Sequence, residues 1–146
     1  MYVHYLLYWV TMLDEPFFLS KARESLAGAE SEFANERYNN CANRCYYACF
    51  QAAVAALGEH GIQPEASRGR STWSHTALAA TFVGELINRR KVYPAALRDT
   101  LSRTSSLREA ADYKHELLSE TQATRSIRRS RTFVETIIQS EGGEPQ

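Results

Sequence analysis

The sequence predicts an all-α protein, an antiparallel bundle of about five helices with short connections. Three observations carry that reading. Proline stands only at positions 16, 64, 94 and 145, and the stretches between are rich in Ala, Leu, Glu and Arg, a distribution that favours helices separated by short breaks. Apolar residues recur at helical spacing, and no alternating strand pattern runs between residues 20 and 140. The length of 146 residues, with 44% hydrophobic and 23% charged, fits one globular domain and sets aside disordered, collagen-like and coiled-coil classes. The 17 basic and 17 acidic residues cancel, which disfavours a uniformly basic nucleic-acid binder but leaves room for a local basic face.

Met1 to Leu13 is almost wholly apolar and contains Tyr2, Tyr5, Tyr8 and Trp9. It is shorter than the roughly 20 residues a membrane-spanning helix needs. It also lacks the basic start and small-residue cleavage site of a signal peptide. Asp14, Glu15 and Pro16 are expected to end it. Residues 1–18 thus read as an N-terminal apolar extension, open to being a strand, a packed arm, an interfacial helix or a stretch upstream of a start at Met12.

The helical domain is expected over residues 19–140. Ser20 suits a helix cap, and Ala22, Leu26, Ala29 and Phe33 give the first helix its apolar stripe as far as about Asn35. Tyr38 to about His60 reads as a longer helix, with Cys45, Cys49, Ala53, Ala56 and Leu57 on one face and Gly61 as its stop. It is apolar around much of its circumference and is therefore expected to be the central helix. Gly61 to Ser74, with Pro64, Arg68, Gly69, Arg70 and Ser71, reads as a surface loop. A third helix from His75 to about Arg90 turns Leu78, Phe82 and Leu86 inward. A fourth starts at Tyr93-Pro94, carries Leu97, Leu101 and Leu107, and ends near His115. Ser119 and Gln122 form a capping box for a fifth, with Ile127, Val134, Ile137 and Ile138 inward and Arg125, Arg128, Arg129 and Arg131 mostly outward. Residues 141–146 read as a disordered tail.

Cys41, Cys45 and Cys49 repeat every four residues along one helix face. An odd number within nine positions is a poor disulfide framework. A metal or iron–sulfur site would want loop spacings and a fourth ligand, neither of which is near. Three small buried thiols in a reducing, cytoplasmic protein are the expectation. No cofactor and no metal is implied.

Three segments together resemble the HEPN domain family. The first is the helix Asn43-Arg44-Cys45-Tyr46-Tyr47-Ala48, the second the helix start Ser74-His75, and the third Arg108-Glu109-Ala110-Ala111-Asp112-Tyr113 followed by a closing helix. The likeness spans about residues 19–139, and the Ala-Asp-Tyr subgroup is the nearest in motif. The resemblance implies a bundle of about five helices, commonly a homodimer and frequently paired with a small nucleotidyltransferase in a toxin–antitoxin arrangement. Many members are metal-independent RNases with an Arg, four to six residues and then a His. Arg108 and His115 are separated by six residues.

The spacing also has a physical reading. Seven residues are nearly two helical turns, so Arg108, Asp112 and His115 share a face if the helix continues. Arg holds a phosphate through paired hydrogen bonds, and His moves protons near neutral pH. Arg108 and His115 are therefore the candidate catalytic pair, supported by Asp112, Tyr113, Asn43 and Arg44. Two departures from the family pattern stand against this. Tyr113 occupies the usual His slot, with His115 in the Tyr slot. Glu109, beside the Arg, and Asp112, one turn on, are carboxylates able to occupy Arg108. The same residues can instead tie a helix end to its neighbours, with Asn43 and Arg44 bonding Tyr113 or Asp112.

Tyr46 and Tyr47 are expected in the core and at an interface. His75 marks a helix start and is able to bond across to the long helix. Arg125, Arg128, Arg129 and Arg131 make the one basic face, suited to RNA phosphates, to an acidic partner or simply to solvent. Two functions follow as expectations. One is a metal-independent RNase working through Arg108 and His115 in a homodimer cleft. The other is a non-catalytic nucleotide- or partner-binding module beside a nucleotidyltransferase, with Tyr113 as a residue that partner modifies.

Overall fold

The second predicted helix is the centre of the molecule. A computed structural model describes residues 2–64, 72–113 and 117–141, with side-chain surroundings from Phe17 onward. Helix α1 is Tyr2–Ala34, α2 Tyr38–Glu59, α3 His75–Thr81, α4 Thr100–Tyr113 and α5 Glu120–Glu141. Helix α2 packs against α1, α4 and α5, and eleven of its residues are buried. No strand occurs among the described residues, so the all-α bundle of five helices stands.

Helix α2 ends as its sequence requires. Gly61 takes φ +75°, its N–H reaches the Gly58 carbonyl at 3.0 Å, and the N–H of Ile62 reaches Leu57 at 2.8 Å. These paired bonds satisfy carbonyls that the helix end would leave open, and the left-handed turn favours glycine. The capping box of α5 also forms. The Ser119 N–H donates to Gln122 Oε1 at 2.9 Å, and the Gln122 N–H donates to Ser119 Oγ at 3.1 Å.

Three boundaries differ from expectation. Helix α1 does not begin at Ser20 but runs from Tyr2 through Asp14, Glu15 and Pro16. A proline removes one backbone hydrogen bond, worth about 3 kcal/mol in a helix interior with its steric clash, yet here it does not divide the helix. Ser20 is therefore interior and caps nothing. Helix α3 changes pitch at Phe82 and continues to Arg89 as a π-helix, in which the N–H of Arg90 reaches back five residues to Glu85 at 2.9 Å. Pro94 does not open α4 directly. A 3₁₀ turn at Ala95–Leu97 intervenes, and α4 starts at Thr100. Most of the Gly61–Ser74 loop's arginine-rich part, residues 65–71, lies outside the described residues, as do residues 142–146 of the predicted tail.

The main core gathers Leu57, Leu78, Phe82, Leu86, Tyr93 and Phe133. Phe82 stacks on Tyr93 with centroids 5.6 Å apart and meets Phe133 at 5.1 Å. Leu78, Phe82 and Leu86 all face inward as the sequence predicts. A second, smaller cluster joins Ala29, Cys41, Cys45, Ala123 and Ile127. All three cysteines are free and buried. Hydrogen bonding between Cys41 and Cys45 lowers the Cys45 thiol and raises that of Cys41, while burial pushes Cys49 up to about 12.

Glu141, the first residue of the predicted tail, is instead the last residue of α5. Its carboxylate meets His60 Nε2 at 2.8 Å, accepts the Tyr93 hydroxyl, and is only 6% exposed. Tyr93 is pushed upward by burial first and by Glu141 second, so it stays protonated as the donor. This clasp joins the C-terminal ends of α2 and α5. Among the described residues no helix is long and apolar enough to cross a membrane.

Candidate functional site

The face of α2 toward α4 combines an aromatic shelf with a half-neutralised guanidinium. Tyr46 is 2% exposed, and its ring lies 5.4 Å from Tyr47 and 6.0 Å from Phe50, centroid to centroid. Arg108, from α4, lays its guanidinium over this shelf, 5.0 Å from the Tyr46 centroid and 5.9 Å from that of Tyr47. Cation–π attraction of this kind contributes about 0.5–2 kcal/mol, more as the pair is desolvated. The Arg108 side chain is 14% exposed.

Its partners are few. Arg108 Nη1 donates to Asp112 Oδ2 at 3.3 Å, the i,i+4 pair that the sequence allowed. Nε is buried and unpartnered. Glu109 is exposed, and the Arg108 pair is with Asp112 instead. Buried guanidinium N–H groups are normally satisfied, since leaving one bare costs about 1–3 kcal/mol. Arg108 therefore holds donors in reserve.

Asn43 and Arg44 extend the cluster, although only Asn43 meets Asp112 and neither meets Tyr113. Asn43 Nδ2 donates to Asp112 Oδ2 at 3.4 Å, and Arg44 Nη2 donates to Asn43 Oδ1 at 2.8 Å. Arg44 itself stands exposed over Tyr47, 5.2 Å from its centroid. Tyr113 is not bonded to them: it is 77% exposed at the end of α4. His115, the expected proton-transfer residue, lies outside the described residues.

Two residues join the site that spacing alone did not place there. The Tyr46 hydroxyl is hydrogen-bonded to His75 Nδ1. The His75 ring lies 5.2 Å from both Tyr46 and Phe50, while the residue as a whole is exposed. Ser74 caps α3 by accepting the Ala77 N–H at 3.1 Å, which fixes where His75 leaves the helix start. Burial raises Tyr46 to about 12, so the phenol stays neutral where it meets His75. Asn39 is the second. Its Nδ2 donates to the Ala111 carbonyl at 3.3 Å, and its Oδ1 accepts the Leu118 N–H at 2.9 Å. One side chain of α2 thus ties together the two chain segments that flank residues 114–116. The signal for Asn39 was an amide at the start of an apolar helix, where a buried polar group needs partners.

The basic face divides. Arg131 gives Nε and Nη2 to Glu30 Oε1 at 3.1 and 2.8 Å, binding α5 to α1. Arg125 and Arg128 are exposed, Arg129 is half-buried, and none of the three makes an ion pair among the described residues. Among those residues, no group of three His, Cys, Asp or Glu side chains converges as a metal ion would need.

Among the described residues, the arrangement offers a cation with spare donors, an aromatic shelf and an imidazole whose second nitrogen is unengaged, all on one face. That set suits a phosphate ester better than a neutral ligand. A family model, HEPN domain, matches residues 16–141. No curated relative matches the chain.

Proposed function

This chain belongs to the HEPN domain family, and from that premise we propose that it cleaves RNA without a metal at a site built on Arg108. The observation that supports the reading is the reserve of donors on Arg108. Its Nε is buried without a partner, and its contact with Asp112 is long, at 3.3 Å. A phosphodiester entering this face would take the guanidinium through two hydrogen bonds and displace Asp112, which Asn43 then retains. In such cleavage the RNA's 2′-oxygen loses its proton and attacks phosphorus. The bond to the 5′-oxygen breaks, and that oxygen takes up a proton. The products are a 2′,3′-cyclic phosphate and a free 5′-hydroxyl. Arg108 stabilises the charge that gathers on the phosphate oxygens. His115 is the proton-transfer residue that the spacing supplies, in a cleft between two copies of the chain.

A second reading has its own support. Asp112 already pairs with Arg108, and Tyr113 is 77% exposed. A charge-paired Arg and an accessible tyrosine suit a non-catalytic, nucleotide- or partner-binding module working with a nucleotidyltransferase that modifies Tyr113. RNA cleavage in EDTA separates the two. Cleavage by the parent protein that disappears in folded Arg108→Ala and His115→Ala supports the RNase. Intact RNA with the parent protein favours the binding module, and cleavage surviving in His115→Ala removes His115 from the mechanism.

A further inference from the structure

Helices α4 and α5, with the 3₁₀ turn that precedes α4, line a surface trough. It consists of two adjoining hollows of about 380 and 390 Å³ that share Arg103 and Arg129. Arg125 lines one hollow, together with Ser106 and Gln122, and Arg128 lines the other. Among the described residues the only acid lining it is Asp99, which reaches Arg103 at a loose 3.9 Å with both side chains more than half exposed. Such an exposed pair is worth little and yields readily to a stronger anion. Arg125, Arg128 and Arg129 have no ion-pair partner among the described residues.

We infer that this trough binds the phosphate backbone of single-stranded RNA, at a site separate from Arg108. Four guanidiniums line one depression in a chain whose total charge is zero, so the positive potential is local and directed. Arg125 and Arg129 are one helical turn apart, about 6 Å along the axis, which allows them to meet different phosphates of one strand. The Gln122 carbonyl oxygen is held by the Ser119 N–H, which leaves its NH₂ as a donor. Arginine forks with interspersed neutral donors recognise phosphates through charge-assisted hydrogen bonds. A neutral ligand would not repay the desolvation of these charges. The choice of RNA as the polyanion rests on the proposed RNase reading, but binding here does not require cleavage.

The test uses the full chain and a fluorescent 12-nucleotide 2′-O-methyl RNA, which has no 2′-hydroxyl to attack the backbone. Its anisotropy is titrated across a salt series in EDTA. The parent protein is expected to bind. Arg103→Ala/Arg129→Ala should weaken binding about tenfold at 0.1 M salt and flatten the log–log salt slope by about 1.4, the loss of two single-strand phosphate contacts. Arg129→Glu should weaken it further, and Arg23→Glu, the same charge change on exposed α1, should not. All four arginine positions are solvent-facing or half-buried, and circular dichroism checks that the variants fold. No binding by the parent, parent-like binding in the trough variants, an equal loss in Arg23→Glu, or equal affinity for a poly-glutamate chain would each overturn the trough. Trough-dependent binding without cleavage of ordinary RNA would uphold it while removing the RNase reading.

Discussion

Helix α2 carries a histidine–tyrosine–charge cluster toward each end, and the two are built to opposite standards. At its C-terminal end, Glu141 is 6% exposed and takes hydrogen bonds from the Tyr93 hydroxyl and from His60 Nε2. Both contacts fall on Oε1 of a carboxylate that is largely removed from water, where a charge needs such partners. Nearer its N-terminus, Tyr46 and His75 bond directly to each other, and the charge beside them is Arg108, with a long contact to Asp112 and a bare Nε. The first cluster concentrates its hydrogen bonds on one buried carboxylate and so holds two helix ends together. The second keeps some in reserve beside an exposed imidazole. Similar side chains therefore make a structural clasp in one place and a candidate ligand site in the other, and the difference lies in which polar atoms are satisfied.

The comparison breaks most readily on stability. Glu141→Gln should cost about 2–4 kcal/mol, because it removes a buried charge and leaves its donors poorly matched. Arg108→Met should stay within about 1 kcal/mol of the parent, since it also removes an unsatisfied donor and keeps the apolar contact. Urea unfolding measures both. Similar losses at the two positions would mean that Arg108 is as structural as Glu141.

A smaller effect concerns alkaline pH. Burial raises Tyr46 from 10 to about 12, so the folded protein holds that proton more tightly than the unfolded chain. Stability contributed by the neutral phenol is complete below pH 10 and is lost as pH rises through about 12. Melting temperatures between pH 9 and 12 should fall less steeply in Tyr46→Phe than in the parent. Identical slopes would show that the phenol is less shielded than its packing indicates.

How much of this was legible in the sequence depends on range. Local signals gave the Gly61 stop, the Ser119–Gln122 box, the inward Leu78, Phe82 and Leu86, and the Arg108–Asp112 pair, each settled within a few residues. The helix through Pro16 and the π-helical pitch of Phe82–Arg89 were not legible, because local propensity marks a proline as a break and carries no signal for π pitch. The long-range pairings were hidden for a different reason. His60 and Glu141 lie 81 positions apart, so no periodicity links them, and for His75 the long helix was foreseen as partner but not Tyr46, 29 positions away. Glu141 looked like tail because Gly142-Gly143 follows it; a tertiary partner extends α5 by holding its last residue.

The finest effect sharpens the comparison at the site itself. Asp112→Asn should free Arg108 from its carboxylate partner among the described residues and tighten binding of a phosphate probe such as inorganic phosphate by a few-fold, equivalent to about 0.5–1 kcal/mol. Calorimetric titration reads this directly. Unchanged affinity would mean that Asp112 does not compete with the ligand.

The most direct test of the central claim is cleavage of an unstructured RNA by the purified chain in EDTA, with the new ends identified by mass spectrometry. The account predicts 2′,3′-cyclic phosphate ends from the parent protein and a loss of at least about 100-fold in rate for Arg108→Ala, the scale of removing one preorganised donor from a developing charge. RNA left intact by the parent, or cleaved equally well by Arg108→Ala, would contradict it.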